Sequence, residues 1–204
     1  MAITYPLNLL DDLPGWSTSF ELMYRQELSR HASGRTRVKD FGTPIWTASY
    51  TTKNLSPNKL DYWRARLNLL ENGLNTFIAY PLSRCRPIKH PEGVGVPSAP
   101  LVNSINANGK ALSLKAANGL NLSVGDYISV KNILYNVMED AVASSGVTPQ
   151  FEVRPHLSLT TLLNDPVLII KPRCLMTLVP GSVSTTSGLN GRASVSFQAI
   201  EARG

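Results

Sequence analysis

Paired turn residues recur so closely through the second half of this chain that no long helix fits between them. Asn108-Gly109, Asn118-Gly119, Gly125-Asp126, Ser145-Gly146 and Asn164-Asp165-Pro166 cut residues 101–171 into short runs. Each favours the tight or left-handed backbone that ends a strand. The runs between them, near 101–105, 111–115, 127–130, 133–142, 149–154 and 167–171, are apolar or alternating. Short strands separated by turn signals at this spacing predict a small β-barrel or sandwich. The stretch "GLNLSVGDYISV" at 119–130 reads in the same way, as strand, tight turn at Gly125-Asp126, and strand.

The first part of the chain holds the one strong helix signal. In "LSPNKLDYWRARLNLLENG" Ser56 stands at the cap, Pro57 at the first helical position, and Gly73 at the close. Leu60, Trp63, Leu67 and Leu70 recur at spacings of three and four and make one apolar face. Lys59, Arg64, Arg66 and Glu71 then point to solvent. Strands are expected on either side, at 20–28, 42–53 and 74–82. Alternation places Trp46 and Tyr50 on one face, and the core between helix and sheet takes Leu60, Trp63, Leu67, Leu70, Trp46 and Phe77.

Residues 86–100, "RPIKHPEGVGVPSAP", suit neither a helix nor a central strand and read as a linker. Strict alternation returns at Ala193, Val195, Phe197 and Ala199, a half-buried strand whose partner is expected in the first module. The barrel is then an insertion. Residues 1–90 and 175–204 form one domain, and 98–174 form a peripheral small β-barrel domain of possible oligonucleotide-binding (OB) type.

Chemistry is sparse. His31, His90 and His156 are far apart in sequence and read as surface or turn histidines without metal-ligand spacing. Asp11-Asp12 and Glu139-Asp140 read as solvated or turn-forming pairs. No nucleophile elbow or phosphate loop is present, so neither catalysis nor a cofactor is expected. Cys85 and Cys174 read as reduced structural thiols. The start "MAITYPLNLLDDLP" lacks the pattern of a secretory signal, and Lys171, Pro172 and Arg173 interrupt the longest apolar stretch. A soluble chain made in a cytoplasm is expected. The formal charge of +6 is scattered except at "RHASGRTRVKD", residues 30–40, which reads as the tip of a solvated hairpin.

The order of three segments resembles the distal tail proteins of long-tailed bacteriophages. They are "PIWTASYTTKNLSPNKLDYWRARLNLLENGLNTFIAYPL", then "LNLSVGDYISVKNILYNVMEDAVASSGVTPQFEVRPHL", then "DPVLIIKPRCLMTLVPG" with the closing "SVSFQAIEA". The first resembles a tail-tube-like module with Trp63, Leu67, Gly73 and Phe77. The second resembles a pattern with a Gly-Asp turn at Gly125-Asp126, then Tyr135 to Val137 and Pro155 to Leu157. The resemblance implies a mainly β fold: a tail-tube-like β-sandwich or split barrel with one packed helix and a small inserted β-barrel.

It also implies a structural virion protein at the tail tip, assembled in the host cytoplasm. Such a protein forms a homo-oligomeric ring, a hexamer, around a DNA channel, and joins the tail tube protein to the hub or baseplate proteins. DNA is met only in transit and no membrane is involved. Open sheet edges covered by neighbouring copies agree with a ring. Arg30, Arg35, Arg37 and Lys39 are the candidate contacts to a neighbouring copy, the tube or the DNA. The competing reading is an OB-type module that binds single-stranded nucleic acid through Tyr127, Tyr135, Lys131 and Arg154. A third, a tail-tip hydrolase, lacks a recognisable acid pair or metal set.

Overall fold

The computed structural model describes residues 3–187 and 190–203. The chain enters through a 3-10 turn at Leu10–Asp12 and forms β1 (Gly15–Met23), β2 (Gln26–Arg30), β3 (Thr36–Asp40) and β4 (Ile45–Thr52). Helix α1 (Pro57–Asn68) follows, then a 3-10 turn at Glu71–Gly73 and β5 (Phe77–Ala79). The second part runs through β6 (Leu101–Ile105), β7 (Ala111–Lys115), β8 (Asn121–Leu122), β9 (Tyr127–Val130), β10 (Ile133–Val137), β11 (Ala141–Val142), β12 (Phe151–Arg154) and β13 (Val167–Leu168). It closes with β14 (Cys174–Leu178), β15 (Ser184–Ser187) and β16 (Ala193–Glu201). The fold is mainly β, with one α-helix among the described residues.

One sheet has the order β1-β4-β16-β14-β5, with β15 paired to β16. Alternation sorts its two faces. Leu22, Phe20 and Thr18 lie opposite Trp46, Ala48 and Tyr50, and Phe197 lies opposite Tyr50. Helix α1 lies against β16 and buries Leu60, Trp63 and Leu67 on the same core as Tyr50, Phe77 and Phe197. Tyr50 stacks on Phe197, with ring centroids 5.2 Å apart. Ser56 occupies the N-cap, but its side chain makes no capping bond. Pro57, which has no N–H to satisfy, starts the helix instead.

Arg64 and Arg66 do not point freely to solvent. Arg64 donates to Thr185 Oγ1 (3.0 and 3.2 Å), and Arg66 donates to Asn8 O (2.7 Å) while lying over the rings of Tyr62 and Trp63. The N-terminal segment and β15 run along the outer side of the helix and capture both guanidinium groups. Lys59 and Glu71 are exposed. At the helix end Glu71 and Asn72 take positive φ, and Gly73 follows at φ +105°. A Cβ on Gly73 would lie 2.7 Å from Leu178 O, so this turn requires glycine twice over.

The chain leaves this sheet after Ala79 and returns at Cys174, where β14 pairs with β5. The intervening residues form a second six-stranded sheet, β13-β9-β10-β12-β7-β6. It is nearly closed: Leu101 bridges Pro166, and Val102 N donates to Asp165 O (3.0 Å). Leu112, Leu114, Ile128, Val130, Tyr135, Phe151 and Val153 fill its interior. The run expected as one strand over 133–142 is split at 138–140. Glu139 Oε2 accepts from Glu152 N, and Asp140 Oδ1 accepts from Val124 N.

The reading of residues 119–130 as a paired hairpin needs correction, because β8 pairs with β11 while β9 pairs with β10 and β13. Asp126 explains the divergence. Its carboxylate is fully buried, accepts from Ser123 N and Ile88 N (both 2.8 Å), and turns the chain out of one pairing into another. Gly125 precedes it at φ +91°.

The two cores meet at β9 and β10. Successive residues face opposite ways, so Tyr135 packs inside the barrel while Leu134 joins the first core. Trp46 receives this face: its Nε1 donates to Leu134 O (2.8 Å), and its ring lies 5.3 Å from Phe20 and 5.7 Å from Tyr127. Trp46 therefore belongs to the joint between the two units.

Candidate interaction surfaces

Strands β2 and β3 form a separate two-stranded ribbon that prolongs the β1–β4 hairpin beyond the sheet. Every residue of both strands is exposed. The loop is closed by Gly34 N donating to His31 O and His31 N donating to Arg35 O (both 2.9 Å). The register pairs Leu28 with Val38, Glu27 with Lys39, Ser29 with Arg37 and Arg30 with Thr36. Leu28, Val38 and Arg30 thus share one face, and Arg37 and Lys39 share the other. Arg35 lies in the loop, and the Lys39 ammonium sits 5.1 Å from the Phe41 ring centroid.

Residues 25–41 carry five cations against two carboxylates, and among the described residues none of the five is in an ion pair. A two-stranded ribbon wet on both faces is marginal on its own. Leu28 and Val38, opposite each other across the ribbon, are each more than half exposed.

The main sheet has two unlike edges. At β5 the N-terminal segment covers the edge: Leu7 N donates to Thr76 O (2.9 Å) and Ile78 N donates to Leu7 O (3.0 Å). At β1, among the described residues, no strand pairs with the outer side. Nine residues of edge are left without a proline or a lysine to block pairing. The face of this sheet away from the helix is rich in hydroxyls, with Ser19, Thr47, Ser49, Thr51, Ser194 and Ser196 grouped by register. Glu21 is the charged residue at its border.

Three polar ties hold the insertion in place. His90 is buried, contacts Val94 O through Nδ1 (2.8 Å), and accepts from Asn121 N through Nε2 (3.1 Å). It is a turn histidine, one of the two expected alternatives, with its N–H closing a turn on Pro87 O and its O accepting from Gly93 N, but it is buried and latches the linker to the barrel. Asp126 fixes Ile88 in the same linker. Asp11 accepts from Lys171 (2.9 Å) and Tyr80 (2.9 Å), and these bonds, with one from Asn8, lower its pKa to about 2. Burial and the Asp11 carboxylate push the Tyr80 phenol up. Glu201, at the end of β16, accepts from Trp46 N and pairs with Arg203 (both 3.0 Å).

The residues expected to bind single-stranded nucleic acid do not form a platform. Tyr135 is fully buried, with its hydroxyl accepting from Ser158 N (3.1 Å). Tyr127 lies against Trp46. Lys131 is paired with Asp165, and Arg154 with Glu152. Period-two alternation turns Tyr135 inward, which removes the stacking surface that such binding needs. Among the described residues no group of three or more His, Cys, Asp or Glu converges to hold a metal ion. Cys85 and Cys174 are free thiols, both with pKa raised by burial. Among the described residues no helix is long and apolar enough to cross a membrane. No family model matches the chain, and no curated protein matches it.

The exposure of both ribbon faces had a signal in the sequence, since no apolar alternation runs through residues 29–37. The ties at Asp11, His90 and Asp126 had none, because each joins residues far apart in the chain.

Proposed function

We propose that this chain is a structural component of a bacteriophage tail tip, a distal tail protein. In this reading it forms a homo-oligomeric ring, a hexamer, at the lower end of the tail tube and links the tube to the hub or baseplate proteins. The observation that carries the reading is the unpaired β1 edge continued by an exposed basic ribbon. An open edge of this length invites pairing with another chain, and a ribbon with two wet faces gains its stability from a partner. Repetition of one heterologous contact closes a ring where its rotation divides a full turn.

Two further features support it. The hydroxyl-rich sheet face offers passing DNA hydrogen bonds without a row of cations to hold it, as a conduit needs. Arg30, Arg35, Arg37 and Lys39 carry the charge to the end of the ribbon, where it reaches an acidic partner surface. Function on this reading lies in interfaces, and catalysis has no part in it.

The test is the solution mass of the purified chain by light scattering over protein and salt concentration, with and without the tube protein, followed by electron microscopy. A closed hexamer with a central hole is expected. A chain that stays monomeric even with the tube protein, and binds single-stranded DNA with a steep salt dependence, would refute the ring.

A further inference from the structure

The barrel and the main sheet meet around a cleft of about 360 Å³. Its barrel side is built by the tight turn between β9 and β10, where Lys131 and Asn132 take φ +50° and +60°, and by Ser158 in the loop after β12. Its sheet side is built by Leu175 of β14, Glu201 at the end of β16, and Arg203 just beyond. Ligand sites favour such joints, where two structural units supply facing walls.

Glu201 forms the floor. Its side chain is 1% exposed, and one carboxylate oxygen, Oε2, takes both Trp46 N and the Arg203 guanidinium. The other, Oε1, is buried and has no hydrogen-bond partner among the described residues. A buried acceptor left unpaired carries the full cost of its desolvation, so this point calls for a donor. The charges of the walls are already balanced, since Arg203 answers Glu201 and Asp165 answers Lys131. What remains is hydrogen-bonding capacity. Lys131 uses two of its three N–H groups, on Thr160 O and Asp165. Asn132 accepts from Arg173 Nε through Oδ1 (3.1 Å), and among the described residues its NH2 group makes no bond. Ile133 and Leu175 add half-buried aliphatic wall.

We propose that this cleft binds an uncharged, extended peptide segment of a partner chain. An extended residue turns its N–H and C=O to the same side. The N–H donates to Glu201 Oε1, the C=O accepts from Asn132 Nδ2 or Arg203, and an aliphatic side chain rests on Ile133 and Leu175. The other ligand classes fit less well. An anion is set against the Glu201 carboxylate, and a cation against Lys131 and Arg203. A sugar also supplies hydroxyl donors, but among the described residues no aromatic ring lines the cleft to receive its face. A single water satisfies Oε1 but leaves the aliphatic wall and the remaining donors unused. Because the same carboxylate holds Trp46 N, the bound peptide is tied into the joint between sheet and barrel. This contact is separate from the ring and does not depend on the β1 edge.

The probe is the blocked tripeptide acetyl-alanyl-leucyl-alanine amide, read by saturation-transfer NMR on the full chain. Saturable transfer is expected, strongest at the leucyl methyl groups, with the dissociation constant raised about tenfold or more in Glu201→Gln. That variant keeps an oxygen for Trp46 N and places an NH2 group where Oε1 stands, so two donors face each other. Asn132→Asp keeps the acceptor for Arg173 and removes the NH2 group, and a weakening of about threefold or more is expected. A melting temperature near the parent's verifies the fold of each variant, and if Glu201→Gln melts early, Asn132→Asp decides alone. No saturable transfer to the parent, or equal affinity in the folded variants, overturns the proposal and leaves Oε1 to a bound water. Tighter binding of glucose or acetate than of the tripeptide overturns it too and gives the cleft to another class of ligand.

Discussion

Removing the Asp126 carboxylate is the sharpest test of how the barrel is held. Asp126→Ala leaves Ile88 N and Ser123 N without their acceptor, each bond being 2.8 Å and made by a fully buried residue. Hydrogen bonds to a charged group contribute about 1.5–3 kcal/mol each. Some of that is offset, because the variant no longer has to desolvate a carboxylate. A net loss of about 3 kcal/mol is expected, a large share of the roughly 5–15 kcal/mol that stabilises a typical domain. Asp126→Asn keeps one acceptor oxygen but turns an NH2 group towards the other N–H, so it loses roughly half as much, about 1.5 kcal/mol.

Urea titration measures both, and hydrogen exchange at Ile88 localises the effect: exchange there quickens in step with the loss of stability, and more than at Phe197 in the other core. If Asp126→Ala lies within about 0.5 kcal/mol of the parent, the range of an ordinary surface change, the carboxylate is not the tie argued here. An Asn variant as weak as the Ala variant would assign the effect to charge in place of acceptor count.

Gly73→Ala forces a side chain into a left-handed turn and within 2.7 Å of Leu178 O; a loss of at least about 2 kcal/mol is expected by thermal or urea unfolding. Trp46→Phe removes the donor to Leu134 O while keeping most of the aromatic contact, with an expected cost of about 1–3 kcal/mol in urea titration and faster exchange of β9 and β10 amides. The pKa of Asp11 is lowered from 3.8 to about 2, so its contribution is present above pH 4 and is lost as pH falls through 2. The side chain is 40% exposed, so screening holds the contribution below about 1 kcal/mol, and Asp11→Asn should flatten the pH dependence of stability between pH 4 and 2. Replacing Arg30, Arg35, Arg37 and Lys39 together by Glu should leave the melting temperature of the free chain nearly unchanged, since all four are exposed, while abolishing assembly with itself or the tube protein by light scattering.

The mainly β class was legible because turn residues and period-two alternation are local signals, as at Tyr127–Val130 and Ala193–Glu201. The helix was legible for the same reason, through Leu60, Trp63 and Leu67. What escaped was set by partners distant in sequence. Nothing near Arg66 announces that Asn8 O will take its guanidinium, and nothing near His90 announces Asn121. The Gly125-Asp126 pair promised a hairpin on local grounds, but the buried carboxylate binds Ile88 from the linker, and that contact redirects the strands. Tyr135 looked like a stacking residue until the register of β10 turned it inward.

That same register has a consequence for assembly. Because β10 sends Leu134 to one core and Tyr135 to the other, and Trp46 grips Leu134 O, the barrel cannot swing on its linker without breaking a buried hydrogen bond and parting two cores. The barrel therefore keeps a fixed direction relative to the β1 edge. A fixed direction means that contacts at the barrel and contacts at the sheet edge must be related by the same rotation if both form in one oligomer; two different rotations would leave one of them open or drive growth into a filament. In the ring proposed above, rigidity at Trp46 would hold any contact made by the barrel and the contact made by the sheet edge to one rotation, and loosening that joint should relax the closure before it disturbs either fold.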